Sequence, residues 1–220
     1  MLNNTITLEE AKKIKLMNRI DKKYVLDFNQ FCLLSKYIID NYYIVVNEDG
    51  EFMLDYDSLY LDTIYDSMFH DHENKVPNRQ KIRIREYSNG DKYIEIKTKN
   101  TESNTKKIRI PFNTCIDNDR EWIENNLTYD YYSLGYKLEV KFKRITLVNK
   151  EKNSRITIDF GINFKNYETK KEASIKDIII EVKKETEDLT DFEKKLNDIG
   201  IQSQPFSKFY KGILMTKGSD

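Results

Sequence analysis

Basic and hydrophobic residues alternate along three stretches of this chain, with the period of two that is typical of β-strands. The basic positions are Lys81, Arg83 and Arg85 in the first stretch, Lys97 and Lys99 in the second, and Lys107 and Arg109 in the third. Isoleucines occupy positions between or beside them. Because the side chains of a strand alternate between its faces, each stretch is expected to have a cationic face and an aliphatic face.

The same kind of patterning, with turn signals between the runs, predicts the other strands of an antiparallel sheet. Asn89-Gly90 is a two-residue pair that suits a tight hairpin turn. The expected strands cover 19–26, 42–46, 52–62, 79–88, 92–99, 106–111, 138–148, 155–160 and 177–184. The fold class is therefore expected to be α+β, with an antiparallel barrel or tunnel of about eight strands and flanking helices.

Helices are expected between and after the strands. Thr7 with Glu10 and Thr190 with Glu193 each have the spacing of a capping box, which predicts helices after both threonines. A helix after Asp27 has hydrophobic residues at helical spacing, and Cys32 is expected in the core. The residues expected to be buried on that helix are Phe28, Phe31, Leu34 and Ile38.

The composition limits the possible classes of protein. The 220 residues suit one domain, residues 1–220, and 37 basic residues balance 37 acidic ones, so no overall positive charge indicates DNA binding. No hydrophobic run reaches the roughly 18 residues of a membrane-spanning helix, so we expect the chain not to span a membrane itself. Two cysteines without a CxxC pair indicate neither zinc nor disulfides and favour the cytoplasm.

Several cationic strand faces together favour an anion site over an ordinary solvated surface. A single strand with basic residues on one face is usually half exposed to water. Several such strands in one sheet would oppose like charges directly, which is unfavourable. A bound polyphosphate would remove that repulsion, so a sheet curled around a charged interior is expected to hold such an anion.

Carboxylates share that charged interior. Asp159 has the strand parity of Arg155, and Glu181 has the parity of Lys183. These acids have two interpretations: internal salt bridges, or a carboxylate that holds a divalent metal together with substrate phosphates. Glu181 is the candidate metal ligand. His70 and His72 form only a weak metal signal, since no cysteine supports them.

The order of short motifs along the chain resembles the VTC domain, the polyphosphate polymerase branch of the triphosphate tunnel metalloenzymes in the CYTH-like superfamily. The resemblance extends over nearly the whole chain. It depends on motifs that begin at Arg19, Tyr60, Lys81, Tyr93, Arg155, Ile180 and Phe206. It implies an eight-stranded tunnel that binds ATP or polyphosphate with Mn²⁺ or Mg²⁺.

By position in those motifs, the resemblance implies a set of phosphate-binding residues and Glu181 as the metal ligand. Carried over by position, the phosphate-binding residues are Lys23, Arg83, Arg85, Lys97, Lys107, Arg144, Lys208 and Lys211. The charged strand faces add Lys81, Arg109, Arg155 and Lys183. The expected catalytic residues are Lys23, Arg83, Arg85, Lys97, Arg144 and Lys208. Because Arg144 differs in parity from Lys141 and Lys143, a bulge or register choice decides which of them faces inward.

The chain departs from the wider superfamily in its first strand. Where hydrolases of this fold have an ExExK motif, this chain has Arg19, Asp21 and Lys23. Loss of a glutamate and gain of a cation favour polymerisation of phosphate over hydrolysis of triphosphate. The alternatives are a triphosphatase of the same fold, a non-catalytic polyphosphate-binding module and, more weakly, an RNA-binding protein. The oligomeric state, the nucleotide preference and a membrane partner stay open.

Overall fold

The computed structural model describes residues 4–14, 20–100, 105–112 and 114–218. The strands are Thr5–Thr7 (β1), Ile20–Leu26 (β2), Tyr42–Val46 (β3), Met53–Thr63 (β4), Arg79–Tyr87 (β5), Lys92–Lys99 (β6), Thr105–Pro111 (β7), Leu134–Asn149 (β8), Ser154–Asn166 (β9), Glu172–Ile175 (β10) and Ile178–Lys184 (β11). The helices are Leu8–Lys13 (α1), Phe28–Asn41 (α2), Ser67–Glu73 (α3), Arg120–Asn126 (α4), Asp191–Asp198 (α5) and Lys208–Thr216 (α6). Short 3₁₀ turns cover Ile116–Asp119 and Tyr131–Ser133.

Eight of the strands follow one another in a single hydrogen-bonded path. Its order is β2-β11-β9-β8-β4-β5-β6-β7, with β1, β3 and β10 paired beside it. The β2-β11-β9 pairings and the β4-β5-β6-β7 pairings are antiparallel. The predicted α+β class, with an eight-stranded antiparallel sheet and flanking helices, is therefore confirmed.

The chain divides into two compact units, each built from three segments of the sequence. The first unit contains residues 1–55, 142–162 and 175–206, and the second contains residues 56–141, 163–174 and 207–220. The expectation of one domain over residues 1–220 stays a prediction.

The first unit packs strands β2, β9 and β11 against helices α2 and α5. Its core contains Leu26, Leu34, Ile158, Ile180 and Phe192, all nearly inaccessible to solvent. An ion pair is also buried here: the Nζ of Lys184 lies 2.5 Å from Glu193, which accepts a second bond from the hydroxyl of Tyr24. This ion pair joins α5 to the face of β2 and β11 that is buried in the core of the first unit.

The core of the second unit lies on the aliphatic faces of β4, β5 and β6. The buried residues of this core are Leu61, Met68, Ile82, Ile84, Ile94, Ile96, Ile123, Leu127 and Tyr131. Isoleucines of neighbouring strands lie directly opposite each other in register, as Ile82 and Ile96 do. Burial of one face leaves the alternate positions of the same strands for the charged residues.

Asp62 of β4 organises the start of α3. Its Oδ1 accepts hydrogen bonds from the backbone N–H of Thr63 and of Met68, at 2.7 and 2.8 Å, and its Oδ2 accepts one from Phe69 at 3.0 Å. Asp66 occupies the cap position of the helix with φ of 56° and makes no side-chain cap bond. The distant carboxylate of Asp62 therefore satisfies helix donors that a local cap normally satisfies.

Two local expectations on α2 were wrong. Cys32 is exposed instead of buried in the core. Phe28 is 67% exposed, whereas Leu34 and Ile38 are buried as predicted. The helix packs on the sheet through a narrower stripe than its hydrophobic spacing indicated. Of the first-strand motif, Arg19 lies outside the described residues.

Candidate functional site

Six basic side chains share one face of the middle of strands β5, β6 and β7 in the second unit, and Arg79 and Lys99 follow on the same face at one end of β5 and β6. We call this set the cationic face: Lys81, Arg83, Arg85, Lys97, Lys107 and Arg109. The strand register places Lys97 opposite both Lys81 and Lys107, so three lysines cross the sheet in one row. Like charges directly opposed in this way are unfavourable unless an anion lies among them.

A single buried carboxylate, Glu95, lies within the cationic face. Its Oε2 accepts two hydrogen bonds from Arg83, from Nε at 2.8 Å and from Nη2 at 2.6 Å. Its Oε1 lies 2.5 Å from the Nζ of Lys107. Burial opposes ionisation of Glu95, but Arg83, Arg85 and Lys107 outweigh it and lower its pKa to about 2. Glu95 is thus a permanent anion that holds two of the cations in place.

The guanidinium of Arg83 is held from two sides. Glu95 binds one edge, and the hydroxyl of Tyr60 accepts a hydrogen bond from Nη1 at 2.9 Å. A guanidinium has five N–H donors, so these three bonds leave one N–H on each terminal nitrogen. Arg83 can therefore offer two fixed donors to a phosphate without reorienting.

Arg85 and Lys107 lie beside Arg83 and Glu95. Arg85 is buried and donates from Nε to the hydroxyl of Ser58 at 3.0 Å. Desolvation of the Lys107 ammonium, together with repulsion from Arg83 and Arg85, lowers the pKa of Lys107 to about 8, although Glu95 opposes the shift. Burial disfavours the charged form of a lysine, and the neighbouring guanidinium groups add to this effect.

The start of helix α6 belongs to the same region. The Nζ of Lys81 lies 3.0 Å from the hydroxyl of Ser207 and 5.2 Å from the ring centre of Phe209. The ring of Phe209 packs on that of Tyr60 at 5.1 Å. Although burial opposes the change, Arg83 and Arg85, with a smaller effect of Lys208, lower the pKa of Tyr60. Lys208 is the first residue of α6, between Ser207 and Phe209, and Lys211 is exposed on the same helix.

The first unit carries a face on which acids and bases alternate, which we call the mixed face: Lys23, Arg144, Asp159, Glu181 and Lys183. The Nζ of Lys183 lies 2.9 Å from Glu181, and that of Lys23 lies 4.0 Å from it. Lys23 also donates to the backbone oxygen of Phe206 at 2.6 Å. Burial opposes ionisation of Glu181, but Lys183, Lys23 and Arg144 hold its pKa well below the usual range.

Arg144, and not Lys143, is the inward side chain of its stretch of β8. Arg144 forms a two-point pair with Asp159, with N···O distances of 2.6 and 2.8 Å, and is 14% exposed. Lys143 is 53% exposed and pairs with Asp55. The register question that the sequence left open is thereby answered, although a phosphate-binding role for Arg144 stays a prediction.

Arg155 occupies a different environment from the other predicted phosphate ligands. Its Nη2 donates to the backbone oxygens of Ala11 and Ile14, at the end of α1. Lysine and arginine side chains commonly satisfy the last carbonyls of a helix in this way. These bonds identify a structural contact for Arg155.

Among the described residues, no group of three or more His, Cys, Asp or Glu side chains is arranged to hold a metal ion. Glu181 nevertheless fits one mode of metal binding. Mg²⁺ commonly uses one or two carboxylates and completes its coordination with water and substrate phosphates. An ionised, largely buried carboxylate supplies the protein part of such a site.

Two contributors to the site were missed from the sequence. Glu95 has the parity of Tyr93 and Lys97, so its position on the cationic face was readable, but its double pairing was not. Tyr60 opens a motif that was noted for its resemblance, but only the register of β4 and β5 shows that it lies opposite Arg83.

Comparisons with known proteins agree with this architecture. A family model described as VTC domain matches residues 18–217. The solved structure of the PH1819 protein from Pyrococcus horikoshii OT3 has 14% identity and a TM-score of 0.50, covering 90% of this chain and 96% of that one. The putative adenylyl cyclase HpAC1 from Hippeastrum, described as having a dominant triphosphatase activity, has 14% identity and a TM-score of 0.54 over 89% of this chain and 95% of that one.

At this identity the two solved structures show a common fold. A search of curated proteins found no match. In the described part of the chain, none of the helices combines the length and the hydrophobicity needed to cross a bilayer.

Proposed function

Because this chain belongs to the VTC domain family, we propose that it transfers the γ-phosphoryl group of ATP to a growing chain of inorganic polyphosphate, with the help of a divalent metal. The observation that carries the proposal is the cationic face, where six basic side chains surround the single carboxylate of Glu95. A polyanion whose charges repeat along its length matches a row of cations that repeats along the strands.

In the proposed reaction, a terminal phosphate oxygen of the polymer attacks the γ-phosphorus of ATP. A new P–O bond forms, the bond between the γ-phosphorus and the bridging oxygen breaks, and ADP leaves with that bonding pair. The attacking oxygen is already ionised near neutral pH, so no protein nucleophile is required. The task of the protein is to align the two phosphates and to neutralise charge.

Arg83 is the residue best placed for alignment. Glu95 and Tyr60 hold its guanidinium, and its two remaining donors can bind two oxygens of one phosphoryl group. Arg85, anchored by Ser58, would neutralise charge that shifts toward the leaving oxygen. Point charges along the polymer would come from Lys81, Lys97, Lys107 and Lys208.

In the first unit, Glu181 would hold Mn²⁺ or Mg²⁺, and Lys23, Arg144 and Lys183 would bind phosphate. The metal, when bound, would draw negative charge from the phosphate oxygens. Lys183 and Lys23 keep the Glu181 carboxylate ionised. Asp21, opposite Lys183 in register, is the acid retained from the first-strand pattern. With one acid fewer than that pattern, this face suits polymer binding better than hydrolysis.

We place this activity in the cytoplasm, where the unpaired Cys32 and Cys115 would remain reduced. ATP and polyphosphate are the proposed ligands, and DNA is not.

The test is to incubate the purified protein with ATP and Mn²⁺, with and without a short polyphosphate primer, and to separate the products by length on a gel. A ladder that grows with release of ADP supports the polymerase. Orthophosphate without chain growth would identify a triphosphatase. Tight binding of polyphosphate without turnover of ATP would identify a non-catalytic binding module.

A further inference from the structure

Three tyrosines close one end of the cationic face. Tyr56 and Tyr87 are directly opposite in register, and Tyr93 is opposite Arg85. Their rings touch in sequence, with centroid distances of 5.3 Å from Tyr56 to Tyr87 and 5.8 Å from Tyr87 to Tyr93. All three share the strand parity of the basic residues and are half-buried. We call them the tyrosine cluster.

Two arginines join this cluster to the cations. The guanidinium of Arg109 lies 4.5 Å from the ring centre of Tyr93, and that of Arg85 lies 5.5 Å from the ring centre of Tyr56. Arg109 also donates to the hydroxyl of Tyr87 at 3.4 Å and is exposed. An exposed guanidinium that rests on a ring offers its outer plane for stacking.

Along the strands, the side chains on this face therefore change from basic near one end to aromatic at the other. The row of Lys81, Lys97 and Lys107 crosses one end, and Arg83 with Glu95 follows. The tyrosine cluster comes last, with Tyr87 about 7 Å beyond Arg85 along β5. A ligand that fits this order has a chain of negative charges at one end and a flat aromatic group at the other.

We infer that the tyrosine cluster and Arg109 form a nucleobase subsite, in which the base of a nucleoside triphosphate stacks while its phosphates extend along the cationic face. The subsite rests on the proposed function, since it assigns the nucleoside end of the phosphoryl donor. Stacking accepts any base because every base has a flat π-face. The subsite should therefore bind ATP and GTP about equally well.

The test compares two ligands with a chain of three phosphates, of which only the first carries a nucleoside: the non-hydrolysable β,γ-imido analogue of ATP and inorganic tripolyphosphate. Their affinities are measured by calorimetry on wild type, Tyr93→Leu and Arg109→Lys. Arg109→Lys keeps the positive charge but removes the planar guanidinium that stacks on Tyr93. Because Arg109 is exposed, this variant should fold as wild type does. Tyr93→Leu should bind the ATP analogue about tenfold more weakly and bind tripolyphosphate within twofold of wild type. Arg109→Lys should lose more affinity for the ATP analogue than for tripolyphosphate.

The chain offers a matched control in the same unit. Arg120 lies 4.5 Å from the ring centre of Tyr132, the same spacing as the pair of Arg109 and Tyr93, but away from the cationic strands. Tyr132→Leu and Arg120→Lys should leave both affinities unchanged.

Equal losses for both ligands in Tyr93→Leu and Arg109→Lys would overturn the subsite, as would an unchanged affinity for the ATP analogue. In either case, retained binding of tripolyphosphate by wild type would leave the proposed function standing. If wild type binds neither ligand, both inferences fail.

Discussion

The cationic face and the mixed face use the same residue types with opposite charge balance. On the cationic face, six basic residues accompany one acid, Glu95. On the mixed face, Lys23, Arg144 and Lys183 accompany Asp159 and Glu181, and Asp21 lies opposite Lys183. On the mixed face Asp159 pairs with Arg144 and Glu181 pairs with Lys183 and Lys23, whereas on the cationic face one acid, Glu95, pairs with Arg83 and Lys107. The first face has charge left for a polyanion, and the second is nearly neutral by itself.

This difference assigns separate tasks to the two faces. An excess of fixed cations attracts phosphates, and a nearly balanced face with a buried ionised carboxylate is better suited to a divalent metal. The comparison can be tested by changing one charge on each face.

The largest effect is expected from Arg83→Lys. Lysine keeps the charge but loses the fork that Glu95 and Tyr60 hold in place. We expect kcat/KM for polyphosphate synthesis to fall by about 10² to 10³, as when a fixed donor to a transition state is removed. Steady-state release of ADP measures this. Arg120→Lys makes the same charge-conserving exchange at an exposed arginine of the same unit and is the matched control; an equal loss there would show that the effect is not specific to Arg83.

A smaller loss, about 10²-fold in kcat, is expected from Glu181→Gln, because the amide cannot supply a charged oxygen to a metal. The affinity for tripolyphosphate should stay within about threefold, since the cationic face is untouched. Turnover is measured at saturating Mn²⁺ and affinity by calorimetry. Glu187→Gln, at an exposed position of the same unit, should change neither. Wild-type turnover in Glu181→Gln would contradict the assignment of the metal ligand.

The cationic face should also lose affinity as the pH rises. The pKa of Lys107 is lowered to about 8, so the ammonium is charged at pH 7 and largely neutral at pH 9. Tripolyphosphate should bind about three- to tenfold more weakly at pH 9 than at pH 7. Calorimetry in matched ionic strength measures this. In Lys107→Arg the guanidinium stays charged over this range, so a persisting loss of affinity would exclude Lys107 as its cause.

The smallest effect is expected from Glu95→Gln. Removal of the only carboxylate on the cationic face should tighten binding of tripolyphosphate about fivefold at low salt, the factor of one charge–charge interaction of about 1 kcal/mol. The gain should disappear at high salt. Turnover should fall because Arg83 loses its charged anchor. Glu86→Gln, paired with Lys92 on the other side of β5, is the control for a non-specific change in net charge.

The strands and their faces could be predicted from the sequence because alternation of side chains records which positions are buried. The Asn89-Gly90 turn is an example: Gly90 has φ of 83°, and the strands on either side end at Tyr87 and begin at Lys92. By contrast, β1 and β10 have three and four residues, too few to show a period.

Pairing across strands could not be predicted in the same way. Parity places Glu95 on the cationic face, but only the register shows that it lies opposite Arg83 and between two strands of cations. The same limit applied to Arg144, whose partner Asp159 lies on another strand. The exposure of Phe28 depended on how much of α2 the sheet covers, which spacing within the helix does not record.

The three-segment construction of each unit has a consequence for biosynthesis. The first unit requires β11, which ends at Lys184, and the second requires α6, which begins at Lys208. Neither unit is therefore complete when the ribosome has made only the first three quarters of the chain. The first unit therefore cannot fold as soon as its first segment, residues 1–55, has been made, because two later segments complete it. Unpaired strand edges must wait for late partners, and a chaperone that shields them should raise the yield of folded protein.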